Sequence, residues 1–174
     1  MKNDYSDIHT FVICTYKDSP YLQECIRSLE NQTVKSKMVI STSTPTDKVR
    51  ELAKQYDIDM YVHDKGGSIG KDWNAAWEYA ATRYITIIHQ DDVYMPRFLE
   101  TNIRKAESSK ESVLAFTNYC EIDSQSALIP RNRNLKIKDL MLMVMRLGEN
   151  SRFIRDRVMS MGSPICCPSV TYNR

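Results

Sequence analysis

Short apolar runs rich in β-branched residues alternate along this chain with longer segments of helical period. That alternation restricts the fold to βαβ units feeding a mostly parallel sheet flanked by helices, an α/β class. HTFVICT at residues 9–15 is the first expected strand, and residues 20–31 form a helix with Leu22, Cys25, Ile26 and Leu29 along one face. Ser19 is placed to cap that helix, with Pro20 at its first position. The pattern then repeats: a strand at 37–42, a helix at 46–56 carrying Val49, Leu52, Ala53 and Tyr56 inward, and a short strand at 60–63. Gly66, Gly67 and Gly70 form a loop before a helix at 71–83, striped by Trp73, Ala76, Trp77 and Ala80. YITIIH at residues 84–89 is continuously apolar, so it belongs in the middle of the sheet. A helix beginning at Pro96, with Phe98, Leu99, Ile103 and Ala106 on one face, and a strand at 113–121 follow. Beyond Asp123 come a polar loop, a Met-rich helix at 137–147, a basic stretch, and a last strand at 165–172 that the chain leaves unfinished.

Composition supports one folded core. The chain has 174 residues, 42% of them hydrophobic and 26% charged, which is ordinary for a soluble globular domain. A net charge of +2 gives no reason to expect nucleic acid as a partner. Cys14, Cys25, Cys120, Cys166 and Cys167 are odd in number and lack C-x-x-C spacing. They read as free thiols of a reducing cytoplasm, with Cys14 and Cys25 filling the core. The polar, acid-bearing residues 1–9 do not resemble a secretory leader, and no apolar run approaches the roughly 20 residues that cross a bilayer.

In an open α/β sheet, ligands sit beyond the carboxyl ends of the strands. Four polar groups fall there: Thr15-Tyr16-Lys17, Thr42-Ser43-Thr44, the glycine loop through Lys71 to Asn74, and His89-Gln90-Asp91-Asp92. The last is chemically the sharpest. Two neighbouring carboxylates in a cleft repel each other, and a divalent cation such as Mg²⁺ or Mn²⁺, which prefers oxygen ligands, relieves the repulsion. The plainer alternative is a solvated turn with one Asp capping the helix at Pro96.

T-Y-K after the first strand, S-L-E-N-Q-T at residues 28–33, the glycine loop leading to Asn74, and Y-I-T-I-I-H-Q-D-D-V-Y-M-P at residues 84–96 resemble, in this order, glycosyltransferase family 2. The likeness is strong over residues 8–100 and weaker beyond. It implies a GT-A fold, a Rossmann-like and mostly parallel sheet, as a single domain over 1–174. The nucleotide-binding half would be 8–123, and the acceptor-side half, incomplete, 124–174. It also implies an inverting transferase moving sugar from a nucleoside diphosphate sugar to a glycan or lipid-linked acceptor, as in polysaccharide biosynthesis. Asp91 and Asp92, a DXD-like pair, would hold Mn²⁺ or Mg²⁺. Thr15, Tyr16, Lys17, Thr42, Ser43, Lys71, Asn74 and Gln90 would line the nucleotide sugar, with the Tyr16 ring free to stack or else packed in the core.

The chain departs from the family pattern in three places. Thr42-Ser43-Thr44-Pro45 replaces an acidic pair, so a carboxylate able to accept from a uracil or guanine ring N–H is missing and the base is open. Trp73 replaces an arginine, leaving Lys71 as the nearest cation, or a solvated one. His89 replaces the first acid of the metal motif, where it would bond ribose or a metal-bound water, or serve structure only. The general base has no recognisable motif among Glu121, Asp123, Asp139, Glu149 and Asp156. Residues 131–157 carry more basic than acidic residues beside L-M-L-M-V-M. They suit an acceptor side for a lipid-linked or anionic glycan, with peripheral membrane contact on the cytoplasmic face, or a plain core helix with solvated flanks. A sugar nucleotidyltransferase and a catalytically inactive nucleotide-sugar-binding module are the competing functions. Nothing in the sequence bears on oligomeric state.

Overall fold

β1 (His9–Thr15), β2 (Lys37–Thr42) and β4 (Tyr84–His89) are parallel neighbours with β1 in the middle, and β3 (Asp59–Val62) extends the parallel set beyond β2. The computed structural model describes residues 3–64, 67–148 and 151–174. On the far side of β4, β6 (Val170–Asn173) pairs antiparallel to it, and β5 (Leu114–Phe116) closes the sheet in the order β3-β2-β1-β4-β6-β5. The six-stranded, mostly parallel α/β expectation therefore holds, with the last strand reversed.

Side-chain alternation along the strands divides the core between two faces. Phe11, Ile13, Ile40 and Ile88 meet α1 (Leu22–Glu30), α2 (Asp47–Gln55) and α4 (Phe98–Glu107) on one face. Val12, Val39, Ile85 and Ile87 meet α3 (Ile69–Tyr79) on the other, where Ala76 and Ala80 are fully buried. The helical stripes expected for α1, α2 and α3 are the ones that pack. At the amino end of the sheet a buried chain of hydrogen bonds crosses three strands. His9 bonds Ser36 Oγ (2.7 Å) and Thr86 Oγ1 (2.9 Å), Thr86 bonds Thr171 Oγ1 (2.8 Å), and Asn102 Nδ2 donates to Thr171 Oγ1 (3.1 Å). Burial alone lowers the His9 pKa to about 3, so this imidazole stays neutral.

Several boundaries differ from the expectation, for local reasons. α1 begins at Leu22 because the Ser19 hydroxyl takes the Tyr21 N–H in a turn ahead of the helix instead of capping it. α3 begins at Ile69, capped by Ser68, whose Oγ accepts from Lys71 N, and this draws Gly70 into the helix. Gly66 lies outside the described residues, as does Glu149. α4 starts after Arg97, which offers no capping side chain, so neither Asp91 nor Asp92 caps it. β5 and β6 are shorter than expected, and a 3-10 turn at Cys167–Ser169 occupies part of the span taken for the last strand.

Two compact units are distinguished: one runs to Thr117 and takes in Val170–Arg174, the other is Asn118–Ser169. Within the second, α5 (Arg133–Leu147) starts four residues before the expected position because the Asn132 side chain accepts from Leu135 N. The basic stretch is itself a helix, α6 (Arg152–Met161), capped by Ser151. Leu135 is the buried residue of α5, while Leu140, Met143 and Leu147 are exposed. The plain core-helix reading of this segment is therefore not what forms. No helix of the described residues is long and apolar enough to cross a membrane.

Candidate functional site

Register sets the floor of the site. Thr15 pairs with Thr42 and Cys14 with His89, so the carboxyl ends of β1, β2 and β4 finish level with one another. The loops that follow are tied together by side chains. Thr42 Oγ1 donates to Thr15 O (3.0 Å) and accepts from Thr44 N (3.1 Å), while Thr44 Oγ1 accepts from Lys17 N (2.6 Å). Thr46 Oγ1, which caps α2 by accepting from Val49 N, also donates to Asp18 (2.5 Å). Thr42 thus does structurally what a carboxylate cannot, since its hydroxyl both donates and accepts.

Tyr16 is held from the opposite side. Its N–H donates to Gln90 Oε1 (3.2 Å) and its C=O accepts from Gln90 Nε2 (3.0 Å), so the Gln90 amide continues the β1–β4 pairing by one step. The Tyr16 ring is 54% exposed, with Lys17 Nζ 5.2 Å from its centroid. It is not a core aromatic, and one face remains available for stacking. Lys17 adopts φ +55°, a left-handed turn that ends β1 and directs the chain away from the sheet edge.

At the end of β4, His89, Asp91 and Asp92 each offer one ligand atom, and these atoms lie within 4.8 Å of one another. His89 Nδ1 is 3.5 Å from Asp92 Oδ2, and neither Asp92 Oδ2 nor His89 Nε2 has a hydrogen-bond partner although both are buried. Burial raises the Asp92 pKa, the His89 charge lowers it, and neighbouring Asp91 raises it again. A buried imidazole nitrogen and a buried carboxylate oxygen without partners, beside the exposed carboxylate of Asp91, suit a divalent cation, so these residues fit a metal. His89 stands three residues before Asp92, across the strand-to-loop turn, and this spacing brings its ring to the carboxylates.

The loop bearing these acids is clamped by α1. Ser28 Oγ donates to Cys25 O (2.7 Å) and accepts from Tyr94 N (3.0 Å). Fully buried Gln32 donates to Ser28 O (3.1 Å) and Met95 O (2.9 Å) and accepts from Leu99 N (3.0 Å). One amide therefore serves the carboxyl end of α1 and the amino end of α4, whose own N-cap supplies no acceptor. Thr33 N donates to Pro96 O (2.8 Å), and Cys25 Sγ donates to His89 O (3.4 Å). The S-L-E-N-Q-T segment is thus the bracket for the acidic loop.

α3 brings different groups to the same edge. Lys71 and Asn74 are exposed on its first turns, and among the described residues their side chains make no hydrogen bond or ion pair with the other candidates. Trp73 lies against His89, ring centroids 5.3 Å apart, and its Nε1 is buried without a partner. Asp72 and His63, which the sequence reading passed over, stand together here, with His63 Nε2 3.8 Å from Asp72 Oδ1. Thr15 Oγ1, Ser41 Oγ and Ser43 Oγ are also buried and unpartnered.

Acids in the second unit are engaged locally. Asp139 is gripped by Arg131 Nη2 (2.5 Å) and Asn118 Nδ2 (2.9 Å), and these donors lower its pKa. Asp123 accepts from Gln125 N and Ala127 N, Glu121 from Asn132, and Asp156 faces Arg152 at 3.6 Å. A cavity of about 340 Å³ in this unit is lined by Tyr119, Glu121, Leu135, Lys138 and Met141 among others. Lys138 donates to Tyr119 OH across it (2.8 Å), and that bond raises the lysine's pKa.

A mostly parallel sheet closed by a reversed strand is the arrangement of a GT-A glycosyltransferase fold. Glucosyl-3-phosphoglycerate synthase of Mycobacterium tuberculosis, solved with Mn²⁺, UDP-glucose and phosphoglyceric acid, shares it with a TM-score of 0.62 at 10% identity over 95% of this chain and 56% of that one. A mannosyltransferase of Pyrobaculum calidifontis, solved with GDP-mannose and Mn²⁺, gives 0.52 at 16% identity over 67% of this chain and 36% of that one. The family model for glycosyl transferase family 2 matches residues 10–173, and the chain belongs to that family. Uncharacterized glycosyltransferases of Methanocaldococcus jannaschii (28% identity over 135 residues, 73% of this chain) and Rickettsia prowazekii (26% over 128 residues, 72%) are similar to it. The chain spans less than half of each relative, 47% and 40%.

Proposed function

We propose that this chain is the donor-binding part of a divalent-metal-dependent, inverting glycosyltransferase that takes sugar from a nucleoside diphosphate sugar. The carrying observation is the convergence of His89, Asp91 and Asp92 ligand atoms within 4.8 Å at the carboxyl end of β4, on a family 2 chain. Asp91 and Asp92, with His89 beside them, are the residues that would hold Mn²⁺ or Mg²⁺. Such a cation supplies Lewis-acid charge against the diphosphate. Tyr16, steadied by Gln90, offers a stacking face for the base, and Thr15, Lys17, Thr42 and Ser43, at the carboxyl ends of β1 and β2, would line the nucleoside. Lys71, exposed on the first turn of α3, and Asn74, exposed one turn further on, are the groups of this helix that would meet the diphosphate, at an end of the helix that favours an anion.

In the transfer itself an acceptor hydroxyl oxygen forms the bond to the anomeric carbon as the bond to the diphosphate oxygen breaks, and a general base takes the hydroxyl proton. The acceptor is a glycan or lipid-linked glycan. Exposed Leu140, Met143 and Leu147 on α5, with Arg146 and the arginines of α6 nearby in sequence, support a lipid-linked acceptor and peripheral contact with the cytoplasmic face of a membrane. Saturation-transfer NMR with a panel of nucleoside diphosphate sugars and Mg²⁺ tests the donor reading. Signal is expected on both base and sugar protons of at least one donor, lost on adding EDTA. Absence of transfer from every donor contradicts it.

A further inference from the structure

Two of the positions at which this chain departs from the family 2 pattern touch each other. The rings of Trp73 and His89 have centroids 5.3 Å apart and are tilted by 37°. Each ring carries a buried nitrogen without a hydrogen-bond partner among the described residues, the indole Nε1 and the imidazole Nε2, and Asp92 Oδ2 is in the same condition. His89 Nδ1 stands 3.5 Å from that oxygen, too far for a good hydrogen bond. Adjacent ligands of an octahedral ion at about 2.1 Å are about 3.0 Å apart, and opposite ones about 4.2 Å. The observed 3.5 Å falls inside that interval, and the 4.8 Å that contains the ligand atoms of His89, Asp91 and Asp92 exceeds it by only about 0.6 Å.

Little of the imidazole's position is left free. His89 is the last residue of β4 and pairs with Cys14, and its C=O accepts from Cys25 Sγ (3.4 Å) and from Asp92 N (3.3 Å). Trp73 closes one side of the ring. It is itself seated on the core beneath α3, where Val12, Ala76 and Ile85 are fully buried. An apolar wall of this kind orients a ligand ring from outside the coordination shell. The chemistry of the shell then differs from that of carboxylates alone. Mg²⁺ takes oxygen ligands and keeps its waters, whereas imidazole nitrogen suits the later first-row ions, whose affinity for a mixed nitrogen and oxygen site rises from Mn²⁺ to Co²⁺.

We infer that His89 is a direct nitrogen ligand held in place by Trp73, and that this mixed shell makes the site select a first-row transition-metal ion over Mg²⁺. Trp73 is a positioning residue, acting through the ligand it touches. The inference rests on the metal-dependent donor reading above, and Mg²⁺ still binds at higher concentration. Electron spin-echo spectroscopy of Mn²⁺ bound to the full chain, with UDP present throughout, reads the ligand directly. Nitrogen modulation is expected, with a frequency that changes when histidine carries the heavier nitrogen isotope. It should vanish in His89→Asp, which supplies an oxygen instead and still binds Mn²⁺. Competition of Co²⁺ and Mg²⁺ against Mn²⁺ gives the metal preference, and the nucleotide's own preference cancels between variants. The ratio of Co²⁺ to Mg²⁺ affinity should fall about tenfold in His89→Asp. Trp73→Leu, which fills the apolar stripe without a flat face, should weaken the nitrogen coupling and cut Co²⁺ affinity about tenfold, and Trp73→Phe should restore both. Bound Mn²⁺ without nitrogen modulation, or a metal preference unchanged in His89→Asp, overturns the nitrogen ligand and leaves the donor reading standing. A Trp73→Leu variant indistinguishable from the native protein overturns the positioning role. Failure of Mn²⁺ to bind, with or without UDP, overturns both the inference and that reading.

Discussion

Replacing Gln32 by Leu isolates the bracket between α1 and the acidic loop. The side chain is fully buried and makes hydrogen bonds to Ser28 O, Met95 O and Leu99 N. Leucine fills similar volume but strands the Leu99 N–H, one of the first donors of α4, while the Met95 carbonyl keeps the Phe98 N–H. A stranded buried group costs about 1–3 kcal/mol. The two further hydrogen bonds lost and the extra apolar burial of leucine act in opposite directions, so about 2 kcal/mol of net destabilisation is expected. For a chain of this size that is a fall in Tm of about 4–8 °C. Urea unfolding followed by circular dichroism should show a lower midpoint with an unchanged m-value. A loss below about 1 kcal/mol would mean that the loop finds other partners at little cost, and the bracket would not be what holds it.

Other outcomes follow from single groups. His9 is neutral in the fold with a pKa near 3, against 6.5 when exposed. Its contribution is therefore complete above about pH 6.5 and is lost as pH falls toward 3, at up to about 1.4 kcal/mol per pH unit; the urea midpoint should drop between pH 7 and 5, and His9→Gln should flatten that dependence. Alkylation of the native protein at pH 8 should modify exposed Cys120 and Cys167 first and spare Cys25, whose thiol pKa burial raises, and Cys14 until urea is added. Equal labelling rates would contradict the packing around α1. Gln90→Ala removes the clasp on Tyr16 and should weaken nucleotide binding several-fold while shifting Tm by only a few degrees, because the clasp lies on an exposed loop; unaltered nucleotide affinity would show that Tyr16 needs no such support.

What the sequence displayed and what it hid have physical causes. β1, β2 and β4 were legible to the residue because buried parallel strands are uninterrupted apolar runs with sharp polar ends. Helix starts were less so: Ser19 looked like a cap, but its hydroxyl is spent on Tyr21 N, and α4 is capped by Gln32 from another element, a partner no local pattern reveals. β5 and β6 are short and depend on pairing with each other across a long sequence gap. Asp91 and Asp92 were visible because two acids end an apolar strand. Asp72 and His63 were not, since one sits inside a helical stripe and the other after a four-residue strand, and only the fold sets them 3.8 Å apart.

The central claim is that the carboxylates after β4 gather a divalent ion that grips a diphosphate. Differential scanning fluorimetry of the chain with Mn²⁺, with a nucleoside diphosphate, and with both together tests it most directly. With nucleotide at a hundredfold excess over its dissociation constant the stabilisation is about 2.7 kcal/mol, a rise in Tm of about 5–11 °C. The rise should require both components and disappear in Asp91→Asn. A shift of the same size without metal, or one that survives the substitution, would contradict the claim.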